Sequence, residues 1–241
     1  METMSKTEQK PQSLQIRIFN RMQRKRFAYL AKSLILLLLV YPYLERDLPG
    51  QVVMSALTIM VMISIIIAVS DKKRDVMIAL CFAIPWIVVI LINVPFYERD
   101  KSIVARREIV FAALLFFYTT YRIFMHLIKS REITSEILFA AVCVYLMIGL
   151  SWTTLYIFVH ILNPGSFVDT SGLLSDTAPR FLFFSYVTLT TIGYGTLTPA
   201  TDTARSLATM EAILGQLYLT IMVARLVGLH ISKPKAPDEE V

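Results

Sequence analysis

Three stretches of this 241-residue chain, 51–70, 76–96 and 137–159, contain no Asp, Glu, Lys or Arg. A run of about 20 apolar residues crosses the ~30 Å hydrocarbon core of a bilayer as a helix, the form in which a segment satisfies its own backbone polar groups in lipid. Three more stretches read as spans that carry a few polar residues: 27–44 with Lys32 near its start, 109–128 with Arg122 and His126, and 204–231 with Arg205, Glu211 and Arg225. The expected class is an all-α membrane protein with six transmembrane helices. A composition that is 56% hydrophobic and 17% charged, with mean hydropathy +0.60, excludes a water-soluble domain of this length.

Stretch 27–44 follows a long basic arm and runs into Glu45-Arg46-Asp47 rather than a small-residue cleavage site, so it stays as the first span instead of a signal peptide. Basic residues concentrate in short cytoplasmic loops. The arm 1–26 carries Lys6, Lys10, Arg17, Arg21, Arg24, Lys25 and Arg26, which places it inside. Six spans then bring Lys72, Lys73, Arg74, Lys129, Arg131, Lys233 and Lys235 inside as well, 14 basic residues against 7 outside. Loop 97–108 opposes this arrangement, because it lies outside yet holds Arg99, Lys101, Arg106 and Arg107. The expected location is the plasma membrane, or the inner membrane of a bacterial cell, with both termini cytoplasmic. The net charge of +6 sits in short arms beside spans, which suits anionic lipid headgroups at the basic N-terminal arm and not nucleic acid. Cys81 and Cys143 lie within spans, so no disulfide framework or metal site is expected. His126, His160 and His230 are scattered and read as structural or interfacial.

About forty residues separate the fifth and sixth spans. Asn163-Pro164-Gly165 ends the fifth with turn chemistry, and 166–178 reads as a loop. Pro179 then opens a helix, with Asp176 and Thr177 as capping side chains just upstream. The resulting helix, 179–190, is too short to cross a bilayer, so it dips in and stops. Backbone that leaves a helix at membrane depth must be buried in protein or line a water-filled space. The segment after Thr190 therefore lines a pore or cavity.

With Thr190 at its head, that segment reads Thr190-Thr191-Ile192-Gly193-Tyr194-Gly195. It resembles the selectivity-filter signature of potassium channels, in which rings of backbone carbonyls replace the water around the ion. Glycines at 193 and 195 supply the positive φ that such a strand needs. The resemblance implies four identical subunits around one pore. Permeant K+ ions would be held at Thr191, Ile192, Gly193 and Tyr194, with Gly195 completing the filter and no other cofactor required. The carbonyl end of the helix before it carries about half a negative charge and faces a hydrated cation. The resemblance runs from Ile137 to about His230, and the first four spans resemble a peripheral domain in number only; together with the span positions this gives the domain plan: arm 1–26, peripheral four-helix domain 27–134, pore domain 135–231 and cytoplasmic tail 232–241. It also implies a hinge role for Gly215, twenty residues beyond Gly195, with close helix packing as the alternative. Arg225 falls near the cytoplasmic mouth, where it would snorkel to headgroups or serve the gate.

Two departures stand out. Thr196 occupies the position where an acid usually follows the filter, and Phe183-Phe184 replaces a tryptophan pair in the pore helix. Filter support is expected from Phe184, Thr188, Thr190 and Glu211, but Phe184 cannot donate a hydrogen bond to the Tyr194 hydroxyl, so the hydrogen bonding must come from other partners. Glu211, with Ser185, Thr188, Thr190 or Tyr194 as partner, is the candidate brace. Arg205, six residues away, lies on another helix face.

A voltage sensor needs several arginines at every third position of the fourth span, and 109–128 has Arg122 alone. The expected function is passive, potassium-selective conduction without steep voltage gating. A potassium transporter subunit and a non-conducting regulatory subunit are the alternatives. An enzyme is not expected, since no nucleophile–base or metal constellation appears.

Overall fold

A computed structural model describes residues 25–44, 48–93, 101–170 and 177–231. Seven α-helices run through them: α1 (Arg26–Leu44), α2 (Leu48–Ala68), α3 (Lys73–Asn93), α4 (Lys101–Lys129), α5 (Ser135–Leu162), α6 (Thr177–Leu189) and α7 (Asp202–Ile231). Among the described residues, three stretches are long and apolar enough to cross a membrane: Ile109–Lys129 in α4, Ser135–Leu162 in α5 and Asp202–Leu229 in α7. Val52–Ala68 in α2 is a shorter apolar stretch.

Several boundaries differ from the sequence expectation. Helix α4 begins at Lys101, so most of the basic segment expected as loop 97–108 continues the helix. Helix α6 begins at Thr177 and ends at Leu189, which puts Pro179 third in the helix. A proline there is still harmless, because the first four N–H groups of a helix have no intrahelical partner. Asp176 lies outside the described residues. Stretch 166–178, expected as plain loop, starts with a single 3₁₀ turn (Pro164–Ser166) and a strand, β1 (Phe167–Asp169), which pairs antiparallel with β2 (Leu197–Pro199). The register sets Phe167 against Pro199 and Asp169 against Leu197.

The packing falls into two apolar regions. The larger joins α1 through α5 around fully buried Leu30, Leu34, Met62, Ile65, Leu115 and Met147. The smaller is mainly aromatic: Trp152 and Tyr156 of α5, Phe167 of β1, and Phe181 and Phe184 of α6. Tyr156 meets Phe184 and Phe167 edge-on at centroid distances of 5.0 and 5.6 Å, the geometry favoured by ring quadrupoles. This second region fixes α6 against α5 and so sets where the backbone after Leu189 emerges.

One end of the fold gathers polar groups from segments distant in sequence. Arg26 at the start of α1 pairs with Asp71 in the α2–α3 turn, and His126 Nδ1 lies 3.5 Å from the same carboxylate. The His126 hydrogen bond, and to a smaller extent Arg26, hold the Asp71 carboxyl well below the usual carboxylate range, against the opposing push of partial burial. Glu136 accepts from the backbone N–H of Phe27 at 3.2 Å, serving a first-turn donor of α1. Thr134 caps α5 by accepting from Ile137 N. Nearby, buried Asp75 is bonded by Arg122 and by Tyr118 at 3.1 Å, so the one arginine of the apolar stretch Ile109–Lys129 in α4 is neutralised in place.

Candidate pore and selectivity filter

Between Leu189 and β2 the backbone alternates in hand. Thr191, Gly193 and Gly195 have φ of 59°, 65° and 77°, and among the described residues Thr191 is the one non-glycine with positive φ. In an ordinary strand successive carbonyls point to opposite sides. Residues of alternating hand turn successive carbonyls toward the same side, as a row of ion-binding oxygens requires. The two glycines accept this at little cost, and a Cβ added at either would meet nothing within 4 Å. Their need is therefore conformational and not one of space. The positive φ of Thr191, a β-branched residue, has no sequence signal.

The start of the strand is tied back to the end of α6. Thr191 N donates to Thr188 O at 3.0 Å and Ile192 N donates to Val187 O at 2.9 Å. These bonds serve carbonyls that the helix end leaves without partners. The far end of the strand is held by the ribbon: Thr170 N and Oγ1 donate to Thr196 O at 3.0 and 3.2 Å, and Ala200 N donates to Ser166 O at 2.8 Å. Asp169 of β1 pairs with Arg180 of α6 at 3.3 Å. The chain thus fastens the outer end of the strand through the Thr196 backbone, with no acidic side chain at that position.

The aromatic support is reversed from expectation. Phe183 stacks on Tyr194, with centroids 5.8 Å apart and planes 6° from parallel. Phe184 instead points away into the aromatic region behind α6. Thr188 contributes its backbone carbonyl, and Thr190 Oγ1 returns to Tyr186 O at 2.6 Å, so neither hydroxyl reaches Glu211.

Glu211 is fully buried. Of its expected partners the structure selects Ser185, whose Oγ lies 2.5 Å from Oε1, and adds Tyr156 of α5, whose hydroxyl donates to Oε2 at 2.5 Å. Tyr156 could not be singled out from sequence, because a tyrosine inside an apolar span looks like core. Arg205 is paired elsewhere, with Asp202 and with the Pro199 carbonyl. Gly215 sits where α7 crosses the end of α6, and a Cβ there would lie 2.6 Å from Leu189 O. Its neighbour Gln216 donates to Thr191 Oγ1 at 3.4 Å, a contact at the base of the strand with no counterpart in the sequence expectation. Arg225 does not reach outward. Its Nη2 donates to the carbonyls of Ile128 and Ser130 at 2.7 and 2.5 Å, at the orphaned carbonyl end of α4.

Residues 133–230, from just before α5 to the end of α7, match the family described as ion channel. The match covers less than half of the chain, and it supports a helical, membrane-integral channel whose pore domain in this segment is similar to that of potassium channels. Over 74 residues the chain is 38% identical to the inward rectifier potassium channel Kirbac3.1 of Paramagnetospirillum magnetotacticum, a match covering 31% of this chain and 21% of that protein. The aligned part is thus about a fifth of that curated relative's length. No solved structure matches the chain.

Proposed function

We propose that the chain is one subunit of a homotetrameric channel that conducts K+ passively, through a filter made of the carbonyls of Thr191, Ile192, Gly193 and Tyr194 with Gly195 at its outer end. The observation that carries this reading is the alternation of φ at Thr191, Gly193 and Gly195 directly after a helix too short to span a bilayer. Exposure supports the assembly: Ile192 and Tyr194 are 55% and 65% exposed in the single chain, although both are large and apolar in body. Neighbouring copies would cover them. Helix α7 points the same way, since only 17% of its apolar window is buried within the chain against 61% for α5.

In this reading α1–α4 form the peripheral domain, 27–134, and α5 through α7 the pore domain, 135–231. Basic residues on the α2–α3 turn, the α4–α5 connection and the first turn of α1 collect at one end of the fold, which supports a plasma-membrane protein with that end and both termini cytoplasmic. Anionic headgroups are the natural neighbours of the arm 1–26. Gly215 is a packing glycine at the filter base that also serves as the hinge candidate, and Arg225 ties the inner mouth to α4. The tail 232–241 and residues 1–24 of the arm lie outside the described residues.

The test is a planar-bilayer recording of purified protein in asymmetric potassium and sodium. Reversal potentials follow the potassium gradient, and Gly193→Ala abolishes selective current, because an L side chain at φ 65° costs about 1–2 kcal/mol per subunit although the space is open. Equal sodium and potassium permeability in the wild type refutes the reading.

A further inference from the structure

We propose that Glu211 is a neutral carboxylic acid that donates its own proton to Ser185, closing a hydrogen-bond chain from Tyr156 through Glu211 and Ser185 to the Gly149 carbonyl. That chain links α5, α6 and α7 behind the filter. It deepens the pore reading, on which its role as a positioning residue rests, while its geometry stands without it.

Proton counting at Ser185 leads to this. Ser185 Oγ lies 2.5 Å from Glu211 Oε1 and 2.8 Å from Gly149 O, and all three groups are in the buried interior. A hydroxyl has one proton to give. The Gly149 carbonyl can only accept, so a 2.8 Å contact between it and Oγ needs the Ser185 proton between them. The Ser185–Glu211 contact then has no proton unless the carboxyl brings one. On the other side, Tyr156 donates to Oε2. A neutral acid, accepting on one oxygen and donating from the other, makes every contact in the chain consistent.

Ionisation would undo the arrangement in two ways. Ser185 would have to turn its proton to the carboxylate, leaving two oxygen lone pairs facing each other at the Gly149 contact. A full charge would also sit buried without a cation, since among the described residues Glu211 takes part in no ion pair. Among the described residues, the titratable side chains that interact with it are the tyrosines Tyr145, Tyr156 and Tyr186. None of these offers a positive charge.

The mechanical consequence comes from the register of α6. Ser185 stands on the buried face of α6, six residues before Thr191, and on the same helix Tyr186 donates to Leu146 O at 2.6 Å. Tyr186 also lies against Gly149, where any Cβ would come within 2.6 Å of its ring. Two adjacent residues of α6 are thereby fixed to α5, and Glu211 carries the same restraint to α7. Glu211 holds the pore helix in place; it does not touch the permeating ion.

Infrared difference spectroscopy on the full-length purified protein tests this. Wild type minus Glu211→Gln at neutral pH is expected to show one protonated-carboxyl C=O band that shifts on deuteration. A pair of carboxylate bands in that difference, in place of the C=O band, overturns the proposal. Tyr156→Phe keeps the acid but removes its donor, so the C=O band is expected to move to higher frequency; an unmoved band overturns the chain from Tyr156. In recordings, Glu211→Gln, which still accepts and donates, is expected to keep wild-type K+ over Na+ selectivity, while Glu211→Ala loses it. Equal loss in both overturns the claim that a neutral donor–acceptor suffices. The spectra give the protonation state whether or not the protein conducts, so failure of the proposal is distinguishable from failure of the pore reading.

Discussion

Gly215→Ala separates two roles for the inner-helix glycine. An added Cβ lies 2.6 Å from Leu189 O, 2.8 Å from Leu189 Cδ1 and 3.3 Å from Cγ, where ordinary contact begins at 3.4 Å. Against the carbonyl the shortfall is 3.4 − 2.6, or about 0.8 Å. The leucine tip can rotate away, but the carbonyl belongs to the last residue of α6, two before Thr191, and is also approached by the Tyr145 hydroxyl at 3.4 Å. Overpacking of this kind costs about 1–3 kcal/mol. Replacing a mid-helix glycine by alanine returns up to about 1 kcal/mol of helix propensity. Gly228→Ala is the matched control, because a Cβ there meets no described atom within 4 Å while the same propensity gain applies. Comparing the two variants cancels propensity, so Gly215→Ala should be less stable than Gly228→Ala by the packing cost, about 1–3 kcal/mol. Melting of the purified protein should rank them in that order, by about 2–4 °C per kcal/mol. Recordings of Gly215→Ala should show altered selectivity, since the displaced carbonyl adjoins the filter. If Gly215→Ala melts with Gly228→Ala and alters only opening and closing, the glycine is a hinge and the packing account is wrong.

Arg225→Met removes the donor to the Ile128 and Ser130 carbonyls, bonds to a charged group that each contribute about 1.5–3 kcal/mol. Amide exchange at the end of α4 should then accelerate at least about tenfold, and unchanged exchange would show that α7 does not hold that end. Asp71 has a depressed pKa in the fold, so its contribution is present above the unfolded value of about 4 and is lost as pH falls toward the lower folded value. With its side chain 41% exposed, the contribution is at most about 1 kcal/mol, and the margin of wild type over Asp71→Asn in stability should be smaller near pH 2 than at pH 7; a constant difference across that range rejects the linkage. Open probability should vary shallowly with voltage, since each charge moved gains about 2.3 kcal/mol per 100 mV and the one arginine of the fourth span is paired with buried Asp75. An activation curve equivalent to several charges per subunit would refute it.

The positive φ at Gly193 and Gly195 of the candidate filter was legible in the sequence because its constraint is local. Gly193 and Gly195 announce positive φ by residue type alone, and the short helix with Pro179 in its first turn announces its setting. Supports that depend on through-space pairing were not legible. The pairing of Phe167–Asp169 with Leu197–Pro199 joins segments 30 residues apart, and neither three-residue strand has enough alternation to show a period. Phe183 and Phe184 are adjacent and chemically identical, so only the rotation of α6 decides which meets Tyr194. Glu211 was conspicuous as an acid in an apolar helix, and Ser185 was within its expected set. Tyr156 gave no such signal because its polar atom is a single hydroxyl on a ring that otherwise packs like phenylalanine. Arg225 was expected to seek headgroups, but the last turn of α4 offers carbonyls that need donors, and one guanidinium serves two of them.

The two apolar regions divide the chain's work unevenly. Helices α1 to α5 bury one another, and α6 is enclosed behind by Trp152, Tyr156 and Phe167. The strand from Thr191 to Gly195 and most of the α7 surface remain uncovered, with Ile213, Leu217, Ile221 and Val227 all near half exposed. A chain that folds its outer side to completion and leaves its carbonyl-bearing side open must obtain the missing packing from lipid or from copies of itself. Lipid can cover apolar side chains, but it offers no donors or ions for a row of aligned carbonyls. In the proposed assembly, copies facing one another across a water-filled axis would meet both demands, because each would contribute carbonyls to a shared ion and apolar surface to its neighbour. Within each copy, Arg225 ties α7 to the end of α4, and Glu211 with Ser185 ties it to α6. Displacement of α7 therefore strains two sets of contacts, one to α6 beside Thr191–Gly195 and one at the end of α4.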